Sequence, residues 1–349
     1  MALEPLKDWT PFSIDALGLV TMLGAEEVDR AIGRLVQNPW VDYLPYLGGF
    51  VVAGNKFVQP LPGTTLYNIS DGIKATDVSG WMTRWLAKQE PKWNTTAYVW
   101  SVRQIPARDW LGHGRALMIG TVFNGGLLAL SVLTGDWFGL ANTIALIVMV
   151  VVRCYMVEQN KGFLDKVAGS LSGPEAEFIK AFCILSDGRA VTLFAPRGLV
   201  VEGFLTTPRP YQRLPYKTAR ALCWLAFGFH VVCIGQATLF IQILTVVGMI
   251  SATVLCCMGW GCDEYDIGRL IRIHPVSNHG LDDRRALAYA RLGLSDGEED
   301  SMLAWGLVPQ RTNRQWWERY GEAKASVGSQ SPPCSGPAQS MTGDTTKTR

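Results

Sequence analysis

The sequence predicts an all-α membrane protein of four transmembrane helices in two hairpins, with a small cytosolic β-meander and further cytosolic helices. Three observations carry this reading. First, residues 221–262 are forty-two consecutive positions without an Asp, Glu, Lys or Arg, closed by Arg220 and Asp263. One bilayer crossing needs about 20 apolar residues, so this run holds two crossings and a very short turn. Second, Ala116–Thr134 and Trp137–Val152 are uncharged stretches of nineteen and sixteen residues separated by Gly135-Asp136. The shorter one gains length if Asp136 sits at the surface and Arg153 snorkels. Third, the basic residues are one-sided. Residues 1–115 hold eleven Lys and Arg, 153–220 hold ten, 263–349 hold eleven, and the two hairpin turns hold none. By the positive-inside rule both termini and the middle segment are cytosolic.

Composition agrees. The 349 residues are 48% hydrophobic and only 18% charged, greasier than a soluble domain of this size. A net charge of +2 gives no nucleic-acid footprint. Met1–Phe12 carries Glu4, Lys7 and Asp8 and no apolar core, so it does not read as a secretory signal, and the first span would direct insertion at the endoplasmic reticulum. The eight cysteines include no CxxC pair and read as buried thiols rather than a disulfide framework or zinc site. Under this topology neither sequon, Asn68-Ile69-Ser70 nor Asn94-Thr95-Thr96, is glycosylated.

In chain order, residues 1–115 form a cytosolic or interfacial region. Ile14–Leu35 has helical spacing, and Leu44–Val58, broken by Pro45, Gly48 and Gly49, reads as a re-entrant or interfacial segment or a strand pair. Residues 116–152 are the first hairpin. Residues 153–220 link the hairpins: Ile179–Leu185, Ala190–Ala195 and Leu199–Leu205 are β-prone runs split by Asp187-Gly188 and Pro196-Arg197-Gly198, which reads as a three-stranded meander. Residues 221–262 are the second hairpin, turning at Gly235–Thr238. In 263–324, Ile267–Ile273 reads as the last span running out along the interface until Pro275, Asp282–Leu292 as a helix, Asp296–Asp300 as an acidic loop, and Ser301–Lys324 as a Trp-rich helical stretch. Residues 325–349, rich in Ser, Pro, Gly and Thr, read as a disordered tail. Trp110, Trp137, Trp224 and Trp260 each flank a span, as an aromatic belt does.

Chemistry could sit at Asp263, Glu264 and Asp266, where the last span ends. On a helix Asp263 and Asp266 share a face, and paired carboxylates raise one another's proton affinity, leaving one as a general acid. The structural alternative is salt bridging, with Arg269 three residues beyond Asp266. His230 is the only imidazole of the forty-two-residue run, and an intramembrane ionisable group is a functional candidate by default; the alternative is a neutral ring bonded to a backbone carbonyl or to Gln236. Arg153 and Glu158 either line the same cavity or mark the end of the second span. His274 and His279 are split by Pro275 and make a poor metal pair, and Asp282-Asp283 lacks the third acid of a diaspartate motif. No phosphate-binding loop, dinucleotide fingerprint or nucleophile elbow is present. No metal or other cofactor is expected.

The stretch Ile184–Gly198, the stretch Trp260–Asp266 and the following Trp316-Trp317 give the chain, from about residue 110 to 324, a layout that resembles the PaxA-like family of fungal multi-pass membrane proteins from indole-diterpene clusters. The resemblance implies a place in terpenoid maturation, with a bilayer-dissolved isoprenoid and other pathway enzymes as partners. Two functions fit. One is a metal-independent terpene cyclase in which Asp263, Glu264 or Asp266 protonates the isoprenoid and Trp224, Phe227, Phe229 and Trp260 stabilise the carbocation. The other is a non-catalytic scaffold or transport helper. So few intramembrane polar groups argue against a channel or coupled pump.

Overall fold

The computed structural model describes Gly18 and residues 24–37, 40–104, 110–171, 177–276 and 284–327. The chain begins with α1 (Ala25–Gly33), a two-residue strand β1 (Val36–Gln37), a short helix α2 (Gly49–Ala53) and a 3-10 turn at Lys56–Val58. Strands β2 (Thr65–Asn68) and β3 (Ile73–Ala75), helix α3 (Gly80–Gln89) and strand β4 (Ala97–Val102) complete the part before the long helices. Helices α4 (Trp110–Thr134) and α5 (Trp137–Ser170) form the first hairpin. Strands β5 (Phe178–Ile184) and β6 (Ala190–Pro196) and a π-helical turn at Leu199–Phe204 lead to the second, α6 (Arg213–Gln236) and α7 (Leu239–Met258). Strands β7 (Asp263–Ile267) and β8 (Ile271–Val276) and helices α8 (Arg285–Arg291), α9 (Asp296–Ala304) and α10 (Arg314–Val327) follow.

Helices α4 to α7 are each long and apolar enough to cross a membrane, which fits a multi-pass membrane protein. Their outward faces are greasy: Leu117, Val122, Phe138, Leu225 and Val232 are all exposed. In water such a surface would be a large unpartnered patch; in lipid it is at home. The two hairpin turns are tied together. Asp136, buried beside them, accepts from Gly139 N at 2.8 Å, capping α5, and from Thr238 N at 2.7 Å, one residue before α7. The expected turn at Gly235–Thr238 therefore falls between α6 and α7, and α5 extends well beyond Val152.

The all-α expectation fails. Strands from three separated stretches assemble one eight-stranded sheet, in the order β1-β7-β8-β4-β6-β5-β2-β3. Pairing is antiparallel except between β4 and β6, where Tyr98 lies opposite Leu193. Strand β6 explains why the sheet was hard to see. Val191, Leu193 and Ala195 join the core shared with the long helices, while Ala190 and Phe194 join a second core under α8 to α10. A strand covered on both faces shows no polar alternation. The expected meander is a β5–β6 hairpin only; its third run is the π-helical turn, whose Gly203 carbonyl accepts from Trp81 Nε1 at 3.1 Å.

Three local expectations are also corrected. Ile267–Ile273 is not an interfacial helix but the β7–β8 hairpin, because Gly259 and Gly261 take φ of 71° and 73° and end α7 with a sharp change of direction. Asp296–Asp300 is not a loop but the first turn of α9, started by a reciprocal Ser295–Glu298 capping box. Leu44–Val58 contains no strand pair: α2 and the 3-10 turn are short and pack against α1, α3 and α6. The helix read over Ile14–Leu35 is described from α1 onward. His279, Asp282, Asp283 and most of the tail from 328 lie outside the described residues, and α10 runs to Val327.

Candidate functional site

The residues singled out in the sequence do not converge. Asp263 and Asp266 stand on strand β7, where an odd spacing puts them on opposite faces, so the shared helical face is lost. Asp263 is exposed and its Oδ1 accepts from Tyr265 N at 3.2 Å. Asp266 receives both of its near contacts from Arg103 Nη2, at 2.8 and 2.9 Å, with Arg272 at 3.5 Å. Glu264 accepts from the buried Arg34 at 3.0 Å, and its carbonyl accepts from Trp85 Nε1 at 2.7 Å. Glu264 and Asp266 fasten the β7–β8 hairpin to the ends of α1 and β4 through Arg34 and Arg103, whereas Arg269, the partner expected for Asp266, pairs with Glu158 instead. His230 is buried between α5 and α6, its Nδ1 2.5 Å from Asn142 Oδ1, a partner the sequence did not suggest. Trp224 and Phe229 face outward from α6, 48% and 65% exposed. Phe227 packs on Phe50 of α2, and Trp260 on Trp40.

A different site emerges from the segment between β1 and α2. Residues 40–48 leave the sheet layer and enter the helix bundle in irregular backbone. Irregular backbone survives among apolar helices only where its polar groups are met, and several here are met by side chains of the long helices. Arg153 Nη2 donates to the carbonyls of Asp42 at 2.5 Å and Leu44 at 2.9 Å. Cys154 Sγ lies 3.2 Å from the Asp42 carbonyl, and Asn124 Nδ2 donates to the Tyr43 carbonyl at 3.0 Å. Leu47 N donates to Thr253 Oγ1 at 3.0 Å. Tyr46 OH donates to the Val41 carbonyl at 2.6 Å, and the Arg153 guanidinium stacks 3.7 Å from the centre of the Tyr46 ring. Gly120 of α4 is the contact point on the other side: a Cβ there would fall 2.4 Å from Tyr43 Cβ.

This plug, α1, α4, α5 and α7 line a partly open cavity of about 420 Å³. Its hydrocarbon wall is Ile32, Val36 and Val157; its polar wall is Asp42, Tyr43, His113, Tyr155, Glu158 and Lys161, with Arg153 behind and Arg269 arriving from the β7–β8 turn. Cys154, Glu158 and Lys161 recur four and three residues apart and so share one face of α5. Arg269 is ion-paired with Glu158, and its backbone N donates to Asp165 Oδ1 at 2.7 Å. Burial pushes the Asp42 carboxyl above the ordinary carboxylate range, against the opposing pull of Lys161, Arg153 and His113. Burial likewise raises the Tyr43 and Tyr46 hydroxyls.

The cavity brings Arg153 and Glu158, which the sequence offered as cavity-lining candidates, together with Asp42, Tyr43, His113 and Lys161, which it did not. One signal was available for Asp42. It is the only charged residue between Arg34 and Lys56, and a lone charge in an apolar stretch calls for a reason. None of Trp224, Phe227, Phe229 and Trp260 lines this cavity. No protein-family model, curated protein or solved structure matches the chain.

Proposed function

We propose that this chain is a multi-pass membrane protein of fungal isoprenoid-derived secondary metabolism, and that it cyclises a bilayer-dissolved isoprenoid whose reacting end enters the Asp42 cavity. The observation that carries the reading is Asp42 itself: a carboxyl whose proton affinity is raised by burial, held on a rigid plug beside a hydrocarbon wall. In its neutral form Asp42 donates a proton to an epoxide oxygen or an alkene carbon. For the epoxide, the O–H bond forms as the C–O bond breaks, and the electron pair of a neighbouring alkene closes the ring. Loss of a C–H proton ends the sequence and restores the acid, so the product is an isomer of the substrate. Aromatic faces of Tyr43 and Tyr155 stabilise the passing positive charge. In this reading Glu264 and Asp266 are positioning residues: they fix the hairpin that carries Arg269 to the cavity.

A scaffold would present its Trp-rich helix to partners. Here Trp316 stacks on Tyr320 at 5.3 Å, and Trp317 lies under Arg311 at 4.9 Å, so these rings are engaged within the chain. The test is a metabolite comparison in a fungal host that makes an epoxidised indole-diterpene precursor, with and without this chain and with Asp42→Asn. A new product of unchanged mass, lost in Asp42→Asn at equal protein level, is expected. Full product formation by Asp42→Asn would sink the acid assignment. Altered amounts of known products alone would favour the scaffold.

A further inference from the structure

The cavity holds a cation that the acid chemistry does not use. Lys161 is only 8% exposed, yet its ammonium makes no hydrogen bond or ion pair with another described residue. The side chain lines the cavity, and no described carboxylate lies within ion-pair distance of its ammonium. The protein's own candidates do not meet it. Glu158, on the same face of α5, is ion-paired with Arg269. Asp42, the other carboxylate of the lining, forms no ion pair with Lys161 among the described residues. Around the same space stand Arg153, Arg269 and His113, and the Tyr155 hydroxyl is buried with no partner among the described residues. Cations and an unsatisfied hydroxyl donor therefore outnumber ionised carboxylates.

We infer that the cavity binds a phosphate group on Lys161, with the Tyr155 hydroxyl and Arg269 as further donors. A phosphate monoester or diphosphate has several acceptor oxygens and meets these donors with charge-assisted hydrogen bonds. The inference rests on the cavity being a binding site, as the proposed function does, but not on acid chemistry at Asp42. It identifies a chemistry with two sources: the headgroup of a membrane phospholipid, or a free phosphate or diphosphate from the water side.

The test uses the full chain in detergent micelles, with binding read by tryptophan fluorescence and by thermal unfolding. One arm titrates inorganic diphosphate and the other short-chain phosphatidic acid, with sodium chloride and a short-chain diacylglycerol, which lacks phosphate, as matched controls. One arm or both should raise the unfolding temperature at constant ionic strength, and the arm that does so names the source. Lys161→Gln should weaken binding at least ~30-fold, as loss of one member of a buried charge pair does, while Lys161→Arg retains most of it. The titrations contain no isoprenoid, which separates this site from the proposed cyclisation, and Gly125→Ala, where an added Cβ meets nothing within 4 Å, should bind as well as the parent chain. No shift in either arm, or undiminished binding by Lys161→Gln, overturns the inference. Should Lys161→Gln fail to fold, Tyr155→Phe provides the second variant, and unchanged affinity there counts against the site.

Discussion

Gly120→Ala is a small change with a large expected consequence. In an exposed helical position, replacing glycine by alanine gains up to about 1 kcal/mol of helix propensity. Gly125, five residues along the same helix, has nothing within 4 Å of an added Cβ, so Gly125→Ala should be neutral or stabilising. At Gly120 the new methyl would meet Tyr43 Cβ at 2.4 Å and the Tyr43 carbonyl oxygen at 2.9 Å. Tyr43 cannot simply retreat, since Arg153 holds its neighbours Asp42 and Leu44 by their carbonyls and Asn124 holds its own. Overpacking of a fixed contact costs about 1–3 kcal/mol. The two alanine variants should therefore differ by that amount, about fivefold to about 150-fold in the unfolding equilibrium. Thermal unfolding in one detergent, followed by tryptophan fluorescence, compares them directly, and the same samples report phosphate binding. Because the displacement falls on Asp42 and Tyr43, Gly120→Ala should also impair the cavity. Equal stability of the two variants would refute the claim that residues 40–48 are wedged against α4.

Three further outcomes are expected. Asp136→Ala removes the acceptor for two backbone N–H groups, one in each hairpin, and should cost about 2–4 kcal/mol in the same unfolding assay; a loss below about 0.5 kcal/mol would mean that the turns are not coupled. His230→Leu and Asn142→Leu should each destabilise more than half as much as the double variant, since each single change strands a buried partner; strict additivity would deny the pairing. The Asp42 carboxyl has a raised folded pKa, so the folded chain binds that proton more tightly than the unfolded chain. Its contribution to stability is present at low pH and is lost as pH rises through the folded value, and cyclisation by the neutral acid should fall over the same window. Asp42→Asn should flatten that part of the stability profile, and an unchanged slope would exclude Asp42 as its source.

The helices were legible because their signal is local. A forty-two-residue uncharged run needs no partner to be recognised, and Gly235–Thr238 marks its own turn. The sheet was not legible, because its pairings join distant stretches. Tyr98 of β4 lies between Leu193 of β6 and Pro275 of β8, and nothing near Tyr98 announces either. Strand β7 was hidden by its acidic composition, which resembles a helix end until Gly259 and Gly261 are given their left-handed turns. The Ser295–Glu298 box is legible in the sequence, since a Ser followed three residues later by Glu marks a helix start. The cavity required knowledge of a packing that periodicity does not encode: Asp42 sits between prolines, on no regular element.

The interleaved strand order also dictates a schedule during synthesis. β4 is complete before either hairpin emerges, but its neighbour β6 follows the first hairpin and its other neighbour, β8, follows the second. At ribosomal rates of about 5–20 residues per second, β4 waits roughly 10–35 s for β8. During that interval its edge is open to any other chain, as unpaired strands are. A nascent chain halted after α7 would thus be membrane-inserted yet unable to close its sheet, and such a chain is a natural client for chaperones on the side of the membrane where the strands accumulate.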